Sequence, residues 1–250
     1  MRRLIQSLLP LFVSCFMLLL GNGLINVLVP VTMSVQRIAP DTIGFVLSLY
    51  FVGLLIGALY SAKLVKRAGH IRMFAGCVAL AALCIFACSF SSNTIIFAMM
   101  RVLLGFCNAC AFTAMESWLS GSSTSKTRGK VLAVYNAVVL AGLFGGQFFM
   151  NITTPSDPSL FVIAGMLFCG ALIPIVLSRH PGPVVSDTQI MKLKTVFSRS
   201  PLGLICCLVS GIIYSALFNL LPVFSQTYGI TQLSLSWYMG AAIFGAFVLQ

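Results

Sequence analysis

The chain has 250 residues, of which 59% are hydrophobic and 8% charged, and its mean hydropathy is +1.05. This composition excludes a soluble domain, because a soluble fold of this length could not bury so much apolar surface. The formal net charge of +11 would favour nucleic-acid binding in a soluble protein. Here the basic residues are confined to alternate loops between apolar segments, so we expect no nucleic-acid partner.

Eight apolar segments follow one another along the chain, at the length that a membrane-spanning helix needs. The predicted spans are residues 8–33, 42–62, 73–90, 94–119, 131–151, 160–177, 202–225 and 235–250. Lys and Arg precede the first span and follow the second, fourth and sixth, whereas the other junctions carry little positive charge. By the positive-inside rule, the sequence predicts an all-α polytopic membrane protein with a cytoplasmic N-terminus.

The junction after the sixth span is longer and more polar than the others. It contains Pro181, Gly182 and Pro183 and a Lys-x-Lys sequence at 192–194, a composition typical of a linker. We therefore predict an N-terminal six-helix domain at 1–178, a cytoplasmic linker at 179–200 and a partial second domain of two helices at 201–250. Because the last span ends in apolar sequence, we expect a truncated chain that needs a missing C-terminal half or a second polypeptide.

One basic residue, Arg101, lies inside a predicted span. Its insertion costs about 2.5–3.5 kcal/mol, so we expect it to face the bundle interior with a partner. At helical spacing Asn108 lies above Arg101, and Glu116 lies further round the helix, so the fourth span has a polar stripe. Arg101 is predicted to be a proton-relay or anionic-substrate residue; the alternative is a structural anchor that snorkels toward the outer surface.

Amides and tyrosines in the other spans are predicted to line a central pathway for protons or substrate. The alternative is that each amide hydrogen-bonds one helix to another. The candidates besides Arg101 and Asn108 are Asn22, Asn26, Asn136, Gln147 and Tyr214, with Tyr50 and Asn219 as further possibilities for cavity lining.

Glycines in three spans are predicted to allow close approach of neighbouring helices. In the second span Gly53 and Gly57 precede Ser61 at four-residue spacing, which is a small-xxx-small pattern. In the fifth span the glycines lie opposite the amides. The full set of predicted packing glycines is Gly53, Gly57, Gly105, Gly142, Gly145 and Gly146.

No enzymatic, metal or cofactor site is predicted. His70 and His180 lie in predicted cytoplasmic loops, where we expect surface residues, and no set of catalytic side chains shares a helical face. Cys107 and Cys110 have the spacing of a redox or zinc pair, but no second pair accompanies them, so buried packing is the favoured interpretation.

Several short motifs together resemble the N-terminal half of the major facilitator superfamily, nearest to its YcaD-type branch. The motifs are KRAGH at 66–70, RVLLG at 101–105, ESW at 116–118 and RGK at 128–130. The resemblance implies two six-helix domains made of inverted repeats, with the substrate at their interface. It also implies a secondary transporter that moves a small organic solute across a bacterial inner membrane by alternating access, with proton coupling as one option.

Two sets of residues take roles from this resemblance. The loop motif implies a cytoplasmic gate, formed by Lys66, Arg67, Gly69 and Glu116, with Glu116 near Arg67. Lys66 stands where the family usually has an aspartate. Arg101 and Gly105 match a motif that is associated with proton coupling.

The main alternative function is a truncated, non-transporting membrane protein. Such a chain would be a degenerate gene product, or it would at most bind a partner subunit through the last two helices. A lipid-modifying membrane enzyme is a third hypothesis, and it would need catalytic residues at the membrane interface.

Overall fold

The computed structural model describes residues 2–91, 93–154, 157–178 and 193–248, and within these ranges the chain is helical and contains no strand. The helices are α1 (Arg2–Val35), α2 (Pro40–Ala68), α3 (His70–Ser89), α4 (Thr94–Ser122), α5 (Arg128–Phe148), α6 (Ser159–Val176), α7 (Leu193–Arg199), α8 (Pro201–Thr227) and α9 (Gln232–Val248), with a 3₁₀ turn at Phe149–Asn151. Of the described helices, α1 to α6 and α8 are long and apolar enough to cross a membrane.

The predicted spans correspond to α1 to α6, α8 and α9, and the structure adds one helix. The eighth predicted span corresponds to α9, which extends to Val248, the last described residue. The predicted linker contains the short helix α7 at its end, which its polar composition did not indicate. Residues 179–192, which include His180 and Lys192, lie outside the described part of the chain.

Local sequence sets the boundaries of the helices. Pro40 occupies the first turn of α2, where its missing N–H costs no hydrogen bond. The side chain of Asn93 caps α4 by accepting a hydrogen bond from the backbone N–H of Ile95 at 2.9 Å. Between α2 and α3 the chain turns at Gly69, whose φ of 79° favours glycine because it has no Cβ. The turn directs the start of α3 back against α4.

The first six helices pack in a pattern with internal symmetry. The main contacts join α2 to α4, α1 to α5, α1 to α6, α3 to α4 and α3 to α6. Exchanging α1 with α4, α2 with α5 and α3 with α6 converts this set of contacts into itself. Two three-helix repeats of this kind are typical of transporter domains built from inverted repeats.

Glycines lie at the closest approaches between helices. A Cβ added at Gly53 would meet the carbonyl oxygen of Val102, and one added at Gly105 would meet the carbonyl oxygen of Tyr50. A Cβ at Gly57 would come within 2.6 Å of the carbonyl oxygen of Phe106. The close packing of α2 on α4 therefore requires glycine, which has no side chain, at these positions.

A second close approach joins α1 to α5. A Cβ at Gly142 would lie 2.7 Å from the Cβ of Leu19, and one at Gly146 would meet the carbonyl oxygen of Leu20. Gly145 is less tightly confined, since a Cβ there would lie 3.1 Å from the Leu20 side chain. The structure thus places the glycine face of α5 against α1.

Helices α8 and α9 lie against this six-helix unit. α8 contacts α1 and α2, and α9 contacts α5. Along most of its length α8 is exposed, with Ile212 at 70% relative exposure, whereas Phe218 and Ser225 nearer its C-terminal end are buried. The contact with the first six helices therefore includes the C-terminal part of α8 and leaves its N-terminal part largely open.

Candidate functional site

A polar network lies inside the six-helix unit and joins three helices. The Nδ2 of Asn108 donates to the Oδ1 of Asn22 at 2.6 Å and to the hydroxyl of Tyr50 at 3.2 Å. The Nδ2 of Asn22 donates to the carbonyl oxygen of Leu18 at 3.0 Å. Asn108 is 1% exposed, so these bonds replace water for amides that would otherwise be costly to bury. The network fixes α1, α2 and α4 relative to one another.

Arg101 extends this network by a contact with an aromatic ring. Its guanidinium carbon lies 4.7 Å from the ring centroid of Tyr50, a cation–π contact that contributes about 2 kcal/mol or more when desolvated. Arg101 is 3% exposed, and its Nε and Nη1 have no hydrogen-bond partner among the described residues. The neighbouring helices enclose the guanidinium, so it does not reach the surface of the described helices.

An open groove lies between α2 and α8. It has a volume of about 850 Å³. Tyr214, at 43% exposure, lines it from α8 and stacks against Phe218 with ring centroids 4.4 Å apart. Ser48 and Phe51 line it from α2, the helix that also carries Tyr50. The groove thus adjoins the helix that anchors the buried network.

The described lining of this groove is mixed in polarity and carries no charge. Ser210 contributes a hydroxyl group, and Phe51, Tyr214 and Leu220 contribute apolar or aromatic surface. Such a lining can bind an apolar body and orient it by a few hydrogen bonds.

The contact between α5 and α9 forms a second polar cluster. The Nδ2 of Asn151 donates to the hydroxyl of Ser236 at 3.1 Å, and that hydroxyl lies 3.4 Å from the carbonyl oxygen of Gln147. Phe148 and Trp237 meet edge to face with centroids 5.2 Å apart. Gln147 is 1% exposed, and its Oε1 has no hydrogen-bond partner in the described structure. The cluster ties the end of α5 to the beginning of α9.

The remaining predicted pathway residues lie apart from these clusters. Asn26 is half-buried in α1 and Asn136 is exposed in α5, and neither side chain makes a hydrogen bond within the described ranges. The structure therefore brings Asn22 and Asn108 together with Arg101 through Tyr50, places Gln147 at the α5–α9 contact and places Tyr214 in the groove. The structure does not describe the side chain of Asn219.

The predicted gate residues lie at the C-terminal ends of α2 and α4. Lys66 and Arg67 are exposed near the end of α2, and Gly69 forms the turn that follows. Glu116 is exposed on α4 and accepts a hydrogen bond from the hydroxyl of Tyr135 at 3.4 Å. Within the described part of the chain no ion pair joins Arg67 to Glu116, so in this conformation the carboxylate is bound to α5.

The expectation that His70 is a surface residue is wrong. It is 4% exposed, its Nε2 lies 2.9 Å from the hydroxyl of Ser117, and its ring centroid lies 6.5 Å from that of Trp118. The sharp turn at Gly69 places this first residue of α3 against α4, which loop composition alone could not indicate. Sequence reasoning missed the polar residues His70, Ser117, Tyr135 and Ser236, because each contact depends on a partner in another helix.

The cysteines and acidic residues form no metal site in the described ranges, where no cluster of three or more His, Cys, Asp or Glu could hold a metal ion. Cys107 and Cys110 are buried free thiols, and the Sγ of Cys110 lies 3.9 Å from the carbonyl oxygen of Gly57. Cys110 therefore packs against α2 as a small apolar residue.

Comparison with known proteins agrees with this architecture. The sequence model of the Major Facilitator Superfamily matches residues 11–250. The chain belongs to the major facilitator superfamily. An uncharacterized MFS-type transporter of Yersinia pestis (strain Pestoides F) is 27% identical over 248 residues, which cover 96% of this chain and 64% of the relative. The uncharacterized MFS-type transporter YcaD of Salmonella heidelberg (strain SL476) is 27% identical over 251 residues, which cover 95% and 63%.

Two solved structures show the same fold. A bacterial homolog of the human lysosomal transporter Spinster, in an inward-facing and unoccupied conformation, matches with a TM-score of 0.76 at 14% identity. A D-xylose-proton symporter matches with a TM-score of 0.62 at 14% identity. Each match covers 96% of this chain, and 59% and 66% of the two neighbours respectively. The predicted fold class, an all-α major facilitator fold, and the resemblance to YcaD-type transporters are confirmed.

The chain spans less than two thirds of the length of the first curated relatives that it matches. Membership of this family makes the chain a multi-pass bacterial membrane protein of a transporter family rather than of an enzyme family.

Proposed function

We propose that this chain forms the greater part of a secondary transporter that moves a small organic solute across a bacterial inner membrane by alternating access. The observation that carries this proposal is the groove between α2 and α8. Its volume of about 850 Å³ lies within the range of about 300–1,000 Å³ found for ligand pockets. The uncharged lining supports a neutral, amphipathic or weakly anionic solute over a highly charged one.

Domain organisation and orientation are part of the proposal. The basic residues at the end of α2 and the start of α5 support a cytoplasmic N-terminus, and with this orientation the α5–α9 contact would lie near the outer surface. We place the domain boundary within residues 179–200, so that α1 to α6 form one domain and α8 and α9 begin the next. The open N-terminal part of α8 then lies on the cytoplasmic side. The α5–α9 contact would then lie near the outer surface, and the opening beside α8 would lie near the inner surface. This arrangement corresponds to an inward-facing state.

Arg101 and its network supply the coupling element of this mechanism. Asn22, Tyr50 and Asn108 connect Arg101 to α1, α2 and α4, so a charge that arrives next to the guanidinium would act on α1 and α2 through these contacts. The proposed roles of Arg101 are to respond to a proton or to an anionic group of the solute. Burial of the guanidinium within a span supports such a role, because an intramembrane charge is expensive to keep.

The proposed gate lies at the cytoplasmic ends of α2 and α4. Lys66 and Arg67 are exposed there, and Glu116 is held by Tyr135 in this conformation. In the proposed mechanism the inward-facing state leaves Glu116 with Tyr135, and closure of the inner side brings Glu116 toward Arg67. The hydrogen bond between Glu116 and Tyr135 would then form in the inward-facing state, and the ion pair between Glu116 and Arg67 would form when the inner side is closed.

A complete path needs further helices. Facilitator-type transporters bind substrate between two repeats, and both sides of the path must be present. We propose that the exposed face of α8 is covered in the working transporter by the rest of a C-terminal domain or by a second polypeptide, with the bilayer around the outside.

The same exposed face supports a second candidate function. Apolar residues such as Leu202 and Ile212 on α8 are 73% and 70% exposed, which also fits a non-transporting membrane protein that binds a partner subunit. The two functions differ in solute binding, which the second lacks.

The test is a thermal-unfolding screen of the purified chain in detergent against neutral and amphipathic solutes. Under the proposal at least one solute class raises the unfolding midpoint of the wild type. Tyr214→Ala, which removes the aromatic wall of the groove, should lose this response. Tyr228→Ala is the matched control, since Tyr228 follows α8 and does not line the groove. No response in the wild type, or an equal response in Tyr214→Ala, would contradict solute binding in the groove.

A further inference from the structure

His70 is a buried histidine that neither the groove nor the proposed coupling network uses. It is 4% exposed, and its Nε2 lies 2.9 Å from the hydroxyl of Ser117 on α4. Its ring lies beside that of Trp118, with centroids 6.5 Å apart. The contact joins the residue after Gly69 to the residue after Glu116, and both of these belong to the proposed gate. A change at His70 therefore acts on the α2–α3 turn and on the C-terminal part of α4 together.

The position of His70 favours the neutral imidazole over the charged imidazolium. His70 is the first residue of α3, so it lies at the positive end of the helix dipole, where a further positive charge is unfavourable. A buried charge without a carboxylate partner is costly as well.

The neighbouring charges act in the same direction. The described charged residues at this end of α3 and of the helices that pack on it are Lys63, Lys66 and Arg67 on α2, Arg72 on α3 and Glu116 on α4, whereas α6 carries none. All of them except Glu116 are cationic. The Glu116 carboxylate accepts its hydrogen bond from Tyr135, and within the described ranges no ion pair joins it to His70.

We propose that His70 makes the proposed gate sensitive to cytoplasmic pH, because the neutral imidazole holds the start of α3 against α4 and protonation releases it. The ordinary pKa of histidine, about 6.5, lies within the physiological range. An imidazolium can still donate to Ser117, so protonation changes the buried charge rather than the number of hydrogen bonds. The open form takes up a proton more readily than the closed form, so the contact is present at higher pH and is lost as the pH falls. The contact itself does not depend on solute binding, whereas its role in gating rests on the proposed function.

The experiment follows the exposure of Trp118 in a chain that carries Trp237→Phe. The sequence contains two tryptophans, so Trp118 is then the only one that emits, and it is 5% exposed in the closed contact. Acrylamide quenching of its fluorescence is measured in detergent between about pH 8 and about pH 5, the range in which histidine changes charge. The quenching constant should rise as the pH falls, because one proton permits up to about a tenfold change in the ratio of open to closed contact per pH unit.

The second histidine of the chain provides the matched control. In the Trp237→Phe background, His70→Gln should abolish the pH dependence, whereas His180→Gln should retain it. Ser117→Ala decides the matter if His70→Gln does not fold, since Ser117 is exposed. This variant keeps the imidazole but weakens the closed contact, so the rise in quenching should begin at higher pH.

A quenching constant that does not change between these pH values would overturn the proposal. So would an undiminished pH dependence in His70→Gln, its loss in His180→Gln, or an unshifted transition in Ser117→Ala. The measurement uses no solute, so its outcome is independent of the solute screen that tests the proposed function.

Discussion

Replacement of Gly53 by Ala tests the close packing of α2 on α4. The added Cβ would meet the carbonyl oxygen of Val102 and come within 3.0 Å of the backbone nitrogen of Phe106. Both are backbone atoms of α4, so the two helices must move apart rather than a side chain rotate. Inserting a methyl group into tight packing costs about 1–3 kcal/mol, and the higher helix propensity of Ala returns about 0.8–1.0 kcal/mol. Because backbone atoms cannot rotate away, the upper part of this range, about 2–3 kcal/mol, applies, and we expect a net loss of about 1–2 kcal/mol.

Gly44→Ala is the matched control on the same helix. A Cβ at Gly44 meets no atom within 4 Å, so the substitution should stabilise the chain by up to about 1 kcal/mol through helix propensity alone. With a shift of about 2–4 °C per kcal/mol for a chain of this size, Gly53→Ala should unfold about 2–8 °C below the wild type. Gly44→Ala should unfold at the wild-type temperature or slightly above it.

The assay is thermal unfolding of the purified chain in detergent, followed by far-ultraviolet circular dichroism. Equal midpoints for Gly53→Ala and Gly44→Ala would refute the proposed dependence of the α2–α4 pair on glycine. A destabilised Gly44→Ala would show instead that any methyl group on α2 disturbs the chain.

Three further contacts yield predictions. A double-mutant cycle with Asn22→Leu and Asn108→Leu should give a coupling energy of about 0.6–1.7 kcal/mol in a denaturant titration, and zero coupling would mean that the 2.6 Å hydrogen bond contributes nothing. A cycle with His70→Phe and Ser117→Ala should give about 0.5–1.5 kcal/mol if the bond between their side chains persists in solution; additive effects would exclude it. The pair Asn151→Cys and Ser236→Cys should form an intramolecular disulfide under mild oxidation, because the wild-type side chains lie 3.1 Å apart, and peptide mass mapping would detect it. The control pair Asn136→Cys and Ser236→Cys should not cross-link, and equal yields would contradict the α5–α9 contact.

The helices could be predicted from the sequence because apolar length is a strong signal in a membrane protein. Hydrocarbon thickness sets the length of each span, and the positions of Lys and Arg predict orientation without any tertiary information. The start of α4 at Asn93 and the turn at Gly69 likewise follow from local chemistry. Short helix α7 was missed because it lies in polar sequence with no apolar periodicity.

The candidate site could be predicted in part. Arg101 and the amides of α1 and α4 stand out because polar groups are rare in membrane spans. Their partners could not be assigned, since the bond from Asn108 to Asn22 and the contact of Arg101 with Tyr50 depend on how three helices cross. The burial of His70 depends on the crossing of α3 and α4 in the same way.

Accessibility of the native cysteines to a membrane-impermeant maleimide tests the proposed solute path most directly. Cys207 lines the groove between α2 and α8, whereas Cys169 is exposed on α6 and serves as a lipid-facing control. If the groove is an aqueous path open to the cytoplasm, the reagent should modify Cys207 in inside-out membrane vesicles and spare Cys169. A bound solute should slow the reaction at Cys207. Lack of modification at Cys207 from either side of the membrane, or equal modification of both cysteines, would contradict a water-filled solute path in this groove.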